Sequence, residues 1–206
     1  FITFHQSFSY EDFIEGIKPV INNISGKNVE YEISPGVFMR ICNKARNNPN
    51  YKYALFIDEI NRGNVASIFG ELITLIEPDK REGMKHEMSA TLPYSKSPFT
   101  VPKNLNIYGT MNTADRSIEA LDSALRRRFN FIEIAPKTSL LKNKTIDGIN
   151  LTTLLNTINI RIEKLLDKDH MIGHSYFLNV NNINDIKIVF KNNIIPLLEE
   201  YFFGDY

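Results

Sequence analysis

The 206 residues carry 24 Lys and Arg against 24 Asp and Glu, so the chain has no global basic footprint for nucleic acid, and any DNA contact is expected through another domain. Hydrophobic residues make up 43% and charged residues 23%, which excludes a disordered polar chain and suits one folded domain with a small appendage. A lone Cys42 excludes an internal disulfide, and no apolar run is long enough to span a bilayer and no signal peptide opens the chain; a cytoplasmic protein without membrane contact is expected, and Phe1 in place of Met agrees with an internal start.

In chain order, residues 2–5 read as an edge-side strand and residues 10–17 as a short helix. Ile24 and the run 29–33 then flank Ser25-Gly26-Lys27-Asn28, which reads as a hairpin turn. This Gly-Lys pair lacks a Ser or Thr after the Lys and has no Gly five positions before Gly26. It therefore does not form the Gly-rich turn whose backbone amides and ammonium surround phosphates. Residues 35–47 read as a helix on which Cys42 is a buried small apolar group.

Tyr53-Ala-Leu-Phe-Ile57 is an unbroken apolar run that stops at two adjacent carboxylates, Asp58 and Glu59. That is the pattern of a strand buried on both faces of a parallel sheet and ending at an open edge, where α/β sheets place their ligands. Asp58 can hold the water shell of a magnesium ion, which takes few protein ligands. Glu59 points to the other side of the strand and is free to polarise an attacking water. The same short pattern also fits a strand that simply ends in polar residues at the surface.

Residues 64–76 follow as a helix, with Val65, Ile68, Phe69, Leu72, Ile73 and Ile76 at helical spacing forming a core face. Pro78 ends it, and residues 79–102 read as an insertion hairpin and loop, mostly solvated and a reasonable docking surface. Residues 105–111 repeat the buried-strand pattern and end in Asn112, Thr113, Asp115 and Arg116. An Asn there offers both a donor and an acceptor to a water or a terminal phosphate oxygen. After a helix from about Ser117 come Arg126-Arg127-Arg128 and a third apolar strand over residues 129–134. Guanidinium groups stabilise phosphoryl-transfer charge and are often supplied by a neighbouring subunit. For at least one of the three arginines, a solvated helix end favoured by the dipole is the expected reading.

Beyond Pro136 the character changes. Residues 137–150 are polar and linker-like, and Leu151, Leu154, Leu155, Ile158, Ile162, Leu165 and Leu166 mark one face of a long amphipathic helix. Further helical pieces are expected over 186–190 and 197–202, with Pro196 near the start of the last. His170 and His174 have the i, i+4 spacing of some zinc sites, but Gly173 between them favours a turn.

These segments resemble the AAA+ domain of the McrB family, the nucleotide-hydrolysing subunits of McrBC-type, methylation-dependent (type IV) restriction systems. The narrowest matches are Met111-Asn-Thr-Ala-Asp-Arg-Ser117 and Ile172-Gly-His-Ser-Tyr-Phe177. The wider set includes residues 2–16, Asp58-Glu-Ile-Asn-Arg62, Phe69-Gly-Glu-Leu72, Asp79-Lys-Arg81 and Ala124-Leu-Arg-Arg-Arg-Phe129. The resemblance implies an α/β fold: an AAA+ P-loop NTPase core (residues 1–136), a parallel sheet flanked by helices but lacking the first strand and the Walker A loop, followed by a small α-helical lid (137–206). It implies that Asp58 and Glu59 are the Walker B pair, with Asp58 supporting Mg2+ through water and Glu59 activating the attacking water. Asn112 matches the sensor-1 position, Asp115 and Arg116 complete a nucleotide-site signature, and Arg127 and Arg128 are the candidates for a trans-acting finger or a γ-phosphate contact. GTP is the family's preferred nucleotide, with ATP the alternative. The implied partners are copies of the chain in a ring, expected to be a hexamer, and an McrC-like endonuclease; DNA would be held through another domain. Because the phosphate cradle is missing, the chain is expected to be a fragment inactive on its own. A non-hydrolysing truncated assembly subunit and an AAA+ ATPase that remodels a protein are the alternatives.

Overall fold

A computed structural model describes residues 1–21, 29–114 and 123–203. The chain divides into two units, Phe1–Phe131 and Ile132–Tyr206.

In the first unit, β1 (Ile2–Thr3), β4 (Tyr53–Asp58) and β7 (Leu105–Gly109) form a three-stranded parallel sheet in the order β1-β4-β7. Register aligns Thr3 with Asp58 and Ile57 with Gly109, so the carboxyl ends of neighbouring strands lie side by side. Parallel pairing needs crossovers. The first holds α1 (Tyr10–Phe13), the antiparallel hairpin β2 (Glu15–Ile21) and β3 (Val29–Pro35), and α2 (Val37–Asn47). The second holds α3 (Val65–Phe69) and the short hairpin β5 (Ala90–Thr91) with β6 (Pro98–Phe99).

The crossovers cover one face of the sheet. Phe4, Phe13, Phe38, Leu55, Ile57, Phe69 and Leu105 are buried there, with Phe13 centred 4.9 Å from Phe38 and 4.8 Å from Phe69. On the opposite face Phe56 and Tyr108 remain 48% and 50% exposed. They are register partners and stack at 5.1 Å. The expectation of strands buried on both faces is therefore corrected. The apolar runs alternate in burial, and the outward aromatic residues shield each other by cross-strand pairing.

Local chemistry explains where elements stop. Ser9 caps α1 in a capping box with Asp12, but the helix ends at Phe13 rather than 17, because the chain enters β2 and pairs with β3. At the base of that hairpin a Cβ on Gly36 would lie 2.3 Å from the carbonyl carbon of Phe13, so only glycine lets β3 pass over α1. The hairpin turn, with Gly26 and Lys27, lies outside the described residues. Asn64 caps α3 by accepting from Ser67 N at 3.0 Å. Gly70, at φ +50°, ends that helix and sends the chain into a 3₁₀ turn, Gly70–Ile73. A single helix to residue 76 does not form, yet Val65, Ile68, Phe69, Leu72 and Ile76 are buried as expected.

Most of the segment 79–102 is exposed, as its composition suggests, but a few residues anchor it to the core. Leu92, Phe99 and Val101 join the core. Arg46 of α2 donates to Glu82 Oε2 at 3.0 Å and to the Thr100 carbonyl at 2.9 Å, and its guanidinium lies over the Phe99 ring. The guanidinium of Arg81 donates to the carbonyl oxygens of Ile76 and Leu105. Buried Glu15 accepts from the backbone N–H groups of Tyr94 and Ser95, each at 2.9 Å. Beyond β7 the chain forms a short helix, α4 (Ser123–Arg126), but a third strand over 129–134 is not formed. Ile132 and Ile134 are almost fully exposed, and among the described residues no strand lies beside this stretch to complete its hydrogen bonds.

The second unit has its own core. Leu141 and Ile146 belong to it, so residues 137–150 are a packed segment carrying the hairpin β8 (Thr145–Ile146) and β9 (Ile149–Asn150) rather than a linker. Asn150 caps α5 (Leu151–Leu165) by accepting from Thr153 N. Leu151, Leu155 and Ile162 are buried, whereas Leu165 is exposed and Asn159 takes a buried place on the same face. Asn159 donates to Ile172 O at 3.0 Å and accepts from Ile172 N at 2.8 Å. His170 is buried, 2.6 Å from Asp167 through Nδ1 and edge-on to the Tyr201 ring. Finally α6 (Ile183–Val189) and α7 (Ile195–Tyr201) are joined by a π turn, Phe190–Ile194. Pro196 cannot donate to the carbonyl four residues back, and the widened turn just ahead of it accommodates that loss.

Candidate functional site

The parallel register brings the polar ends of β4 and β7 together. Asp58 is the last residue of β4, held on its other side by Phe4 N donating to Asp58 O at 2.9 Å. Glu59 follows in the left-handed region, at φ 52° and ψ 45°, a conformation uncommon for a side chain of this length. Thr110, the first residue beyond β7, meets both acids. Its hydroxyl donates to Asp58 Oδ1 at 2.5 Å and accepts from Glu59 N at 3.3 Å. Its backbone N–H donates to Ile57 O and its carbonyl accepts from Ile60 N, both at 2.9 Å. The other carboxylate oxygen of Asp58 has no protein partner among the described residues.

Glu59 Oε2 lies 3.2 Å from Arg62 Nε, an ion pair by distance that lacks hydrogen-bond alignment. Asn112 stands two residues beyond Thr110. Its side-chain oxygen accepts from Ala114 N at 3.0 Å, which fixes the amide orientation, and its carbonyl accepts from Asn61 Nδ2 at 3.2 Å. Among the described residues the amide nitrogen of Asn112 has no hydrogen-bond partner.

The arginines separate into three environments. Arg126 lies over the Phe131 ring at 5.6 Å. Arg127 is exposed. The Arg128 side chain is 5% exposed; its Nε is 2.8 Å from Glu77 Oε1, close but off the hydrogen-bond line, and its Nη2 donates to Thr74 Oγ1 at 3.4 Å. Asp115 and Arg116 lie outside the described residues.

Thr110 thus joins Asp58 to Glu59 at neighbouring strand ends, and Asn112 follows two residues on, tied through its carbonyl to Asn61. Thr110 and Arg62 are the site residues that sequence reasoning missed; the one usable signal for Thr110 was a hydroxyl just past a strand parallel to one ending in acids. The donor set fits magnesium. It offers one hard carboxylate oxygen with room for water, and among the described residues no cluster of three or more His, Cys, Asp or Glu side chains gathers to enclose an ion.

Comparison with known proteins gives the family of the chain. The family model described as AAA domain (dynein-related subfamily) matches residues 1–129, and that of the McrB alpha-helical lid domain matches 150–206. The chain belongs to the AAA family. Its lid is of the McrB type, and the whole is a McrB-like AAA+ protein. This AAA chain is 40% identical over 228 residues to the Type IV methyl-directed restriction enzyme EcoKMcrB subunit of Escherichia coli (strain K12), covering 99% of its own length and 47% of the relative. It is 27% identical over 247 residues to the Type II restriction enzyme BsuMI component YdiS of Bacillus subtilis (strain 168), covering 97% of itself and 68% of that protein. It thus spans about half the length of the first relative. Among the described residues no helix is long and apolar enough to cross a membrane.

Proposed function

We propose that this AAA core and lid are the hydrolytic part of a McrB-like motor, a GTPase, or ATPase in the alternative, that drives DNA translocation and activates an endonuclease in the restriction of modified DNA. One observation carries the reading: Asp58 and Glu59, joined through Thr110, lie at the carboxyl ends of two adjacent parallel strands with Asn112 on the segment that continues from Thr110, where α/β sheets take their ligands. Mg2+, when bound, supplies the positive charge that neutralises the phosphates. Asp58, with one oxygen engaged by Thr110, would hold its water shell through the other. Glu59 orients the attacking water and receives its proton, and Asn112 donates its amide to that water or to a terminal phosphate oxygen. Asp115 and Arg116 complete the nucleotide site. Arg127, exposed, acts on the nucleotide of a neighbouring subunit, whereas Arg128 serves the fold. The whole protein works in the cytoplasm as a homo-oligomeric ring, a hexamer, with an McrC-like endonuclease and with DNA held by another domain; the restriction enzymes of which both relatives are a subunit or component support a place in such a system.

The test is turnover of GTP and ATP, side by side, by the full-length protein. Glu59→Gln should lower kcat by at least about 100-fold while nucleotide still binds. Mixing Glu59→Gln with Arg127→Ala should restore part of the activity, because each variant supplies what the other lacks across an interface. Turnover unchanged by Glu59→Gln would refute the assignment.

A further inference from the structure

We infer that Thr110 is a positioning residue that sets both acids of this site, an inference resting on the hydrolytic reading above. A hydroxyl has a single hydrogen. Since Glu59 N–H points into Thr110 Oγ1, that hydrogen goes to Asp58 Oδ1, and the bond is charge-assisted. It locks the carboxylate plane of Asp58 and leaves one oxygen available to a cation's water shell. The backbone of the same residue clamps the positions on either side of the acid pair, through Ile57 O and Ile60 N. Thr110 therefore brackets the reversal at Glu59 and holds that residue in its left-handed conformation.

The hydroxyl can be removed without opening a hole, because Thr110 is exposed. The experiment uses the full-length protein with Thr110→Val, which keeps the shape, and Thr110→Ser, which keeps the hydroxyl. Binding of Mn2+ in the presence of nucleotide is followed by electron paramagnetic resonance, and the Mg2+ dependence of hydrolysis is measured alongside. Thr110→Val should weaken Mn2+ binding and raise the half-saturating Mg2+ by about tenfold, while Thr110→Ser stays within about twofold of wild type. Nucleotide affinity in EDTA should be unchanged, and the melting temperature should fall by only about 3–5 °C, because both lost hydrogen bonds are at an exposed site. A residue of purely structural use would move the melting temperature and leave the metal dependence alone. Equal Mn2+ binding by wild type and Thr110→Val, or equal impairment of the Ser and Val variants, would overturn the role of Thr110 while leaving the hydrolytic reading intact. Wild-type protein that takes up no Mn2+ with either nucleotide would overturn that reading and this one with it.

Discussion

Replacing Arg127 and Arg128 one at a time should separate two roles that adjacent arginines hide in the sequence. The Arg128 side chain is 5% exposed, and its partner Glu77 is 29% exposed. Removing one member of a fully buried ion pair costs about 3–5 kcal/mol, because the other charge is left without compensation. Here Glu77 retains part of its hydration, so the cost falls to about 2 kcal/mol, including the lost bond to Thr74. In a unit of this size each kcal/mol moves the midpoint by roughly 3–5 °C, so Arg128→Ala should lower the melting midpoint of the unit that holds it by about 6–10 °C. Arg127→Ala, at an exposed site, should stay within about 2 °C. Thermal unfolding followed by circular dichroism reads both. A loss as large for Arg127→Ala as for Arg128→Ala, or no loss for either, would show that the division of roles is mistaken.

Three further outcomes follow from the packing. Gly36→Ala places a Cβ 2.3 Å from the Phe13 carbonyl carbon and should cost about 3 kcal/mol or abolish folding, read by chemical denaturation. Asn159→Ala strands the buried N–H and C=O of Ile172 and should destabilise the lid by about 2–4 kcal/mol, visible as faster hydrogen exchange at Ile172 and in the residues beyond it. Burial pushes the Cys42 thiol up to about 12, above its unfolded value. The native state keeps its proton where the unfolded chain has lost it, so stability is fully present below about pH 9 and falls as pH rises towards 12. Denaturation midpoints of wild type and Cys42→Ala between pH 7 and 11 should show a shallower alkaline decline in the variant.

What could be read from the sequence was what neighbouring residues settle among themselves. The run from Tyr53 into Asp58 and Glu59 announces a strand that ends in acids, and the spacing of Val65, Ile68, Phe69 and Leu72 announces a buried helical face. Features set by distant partners were hidden. Phe56 and Tyr108 read as core, but only one face of their sheet is covered. Residues 129–134 have the composition of a strand without a described neighbour to pair with. Leu141 and Ile146 sit in a polar stretch whose packing depends on α5, fixed later in the chain. Thr110 could not be ranked above Thr113 from the sequence, because its contact with Asp58 spans 52 positions and depends on strand register.

The backbone at Glu59 places this site in tension with its own fold. A residue other than glycine held at φ 52° gives up about 1 kcal/mol relative to a right-handed conformation, and glycine would avoid that penalty. Under the proposed role, a lineage released from the need for turnover would gain stability by replacing Glu59 with glycine, so that exchange should be among the early changes in copies that persist only as scaffolds.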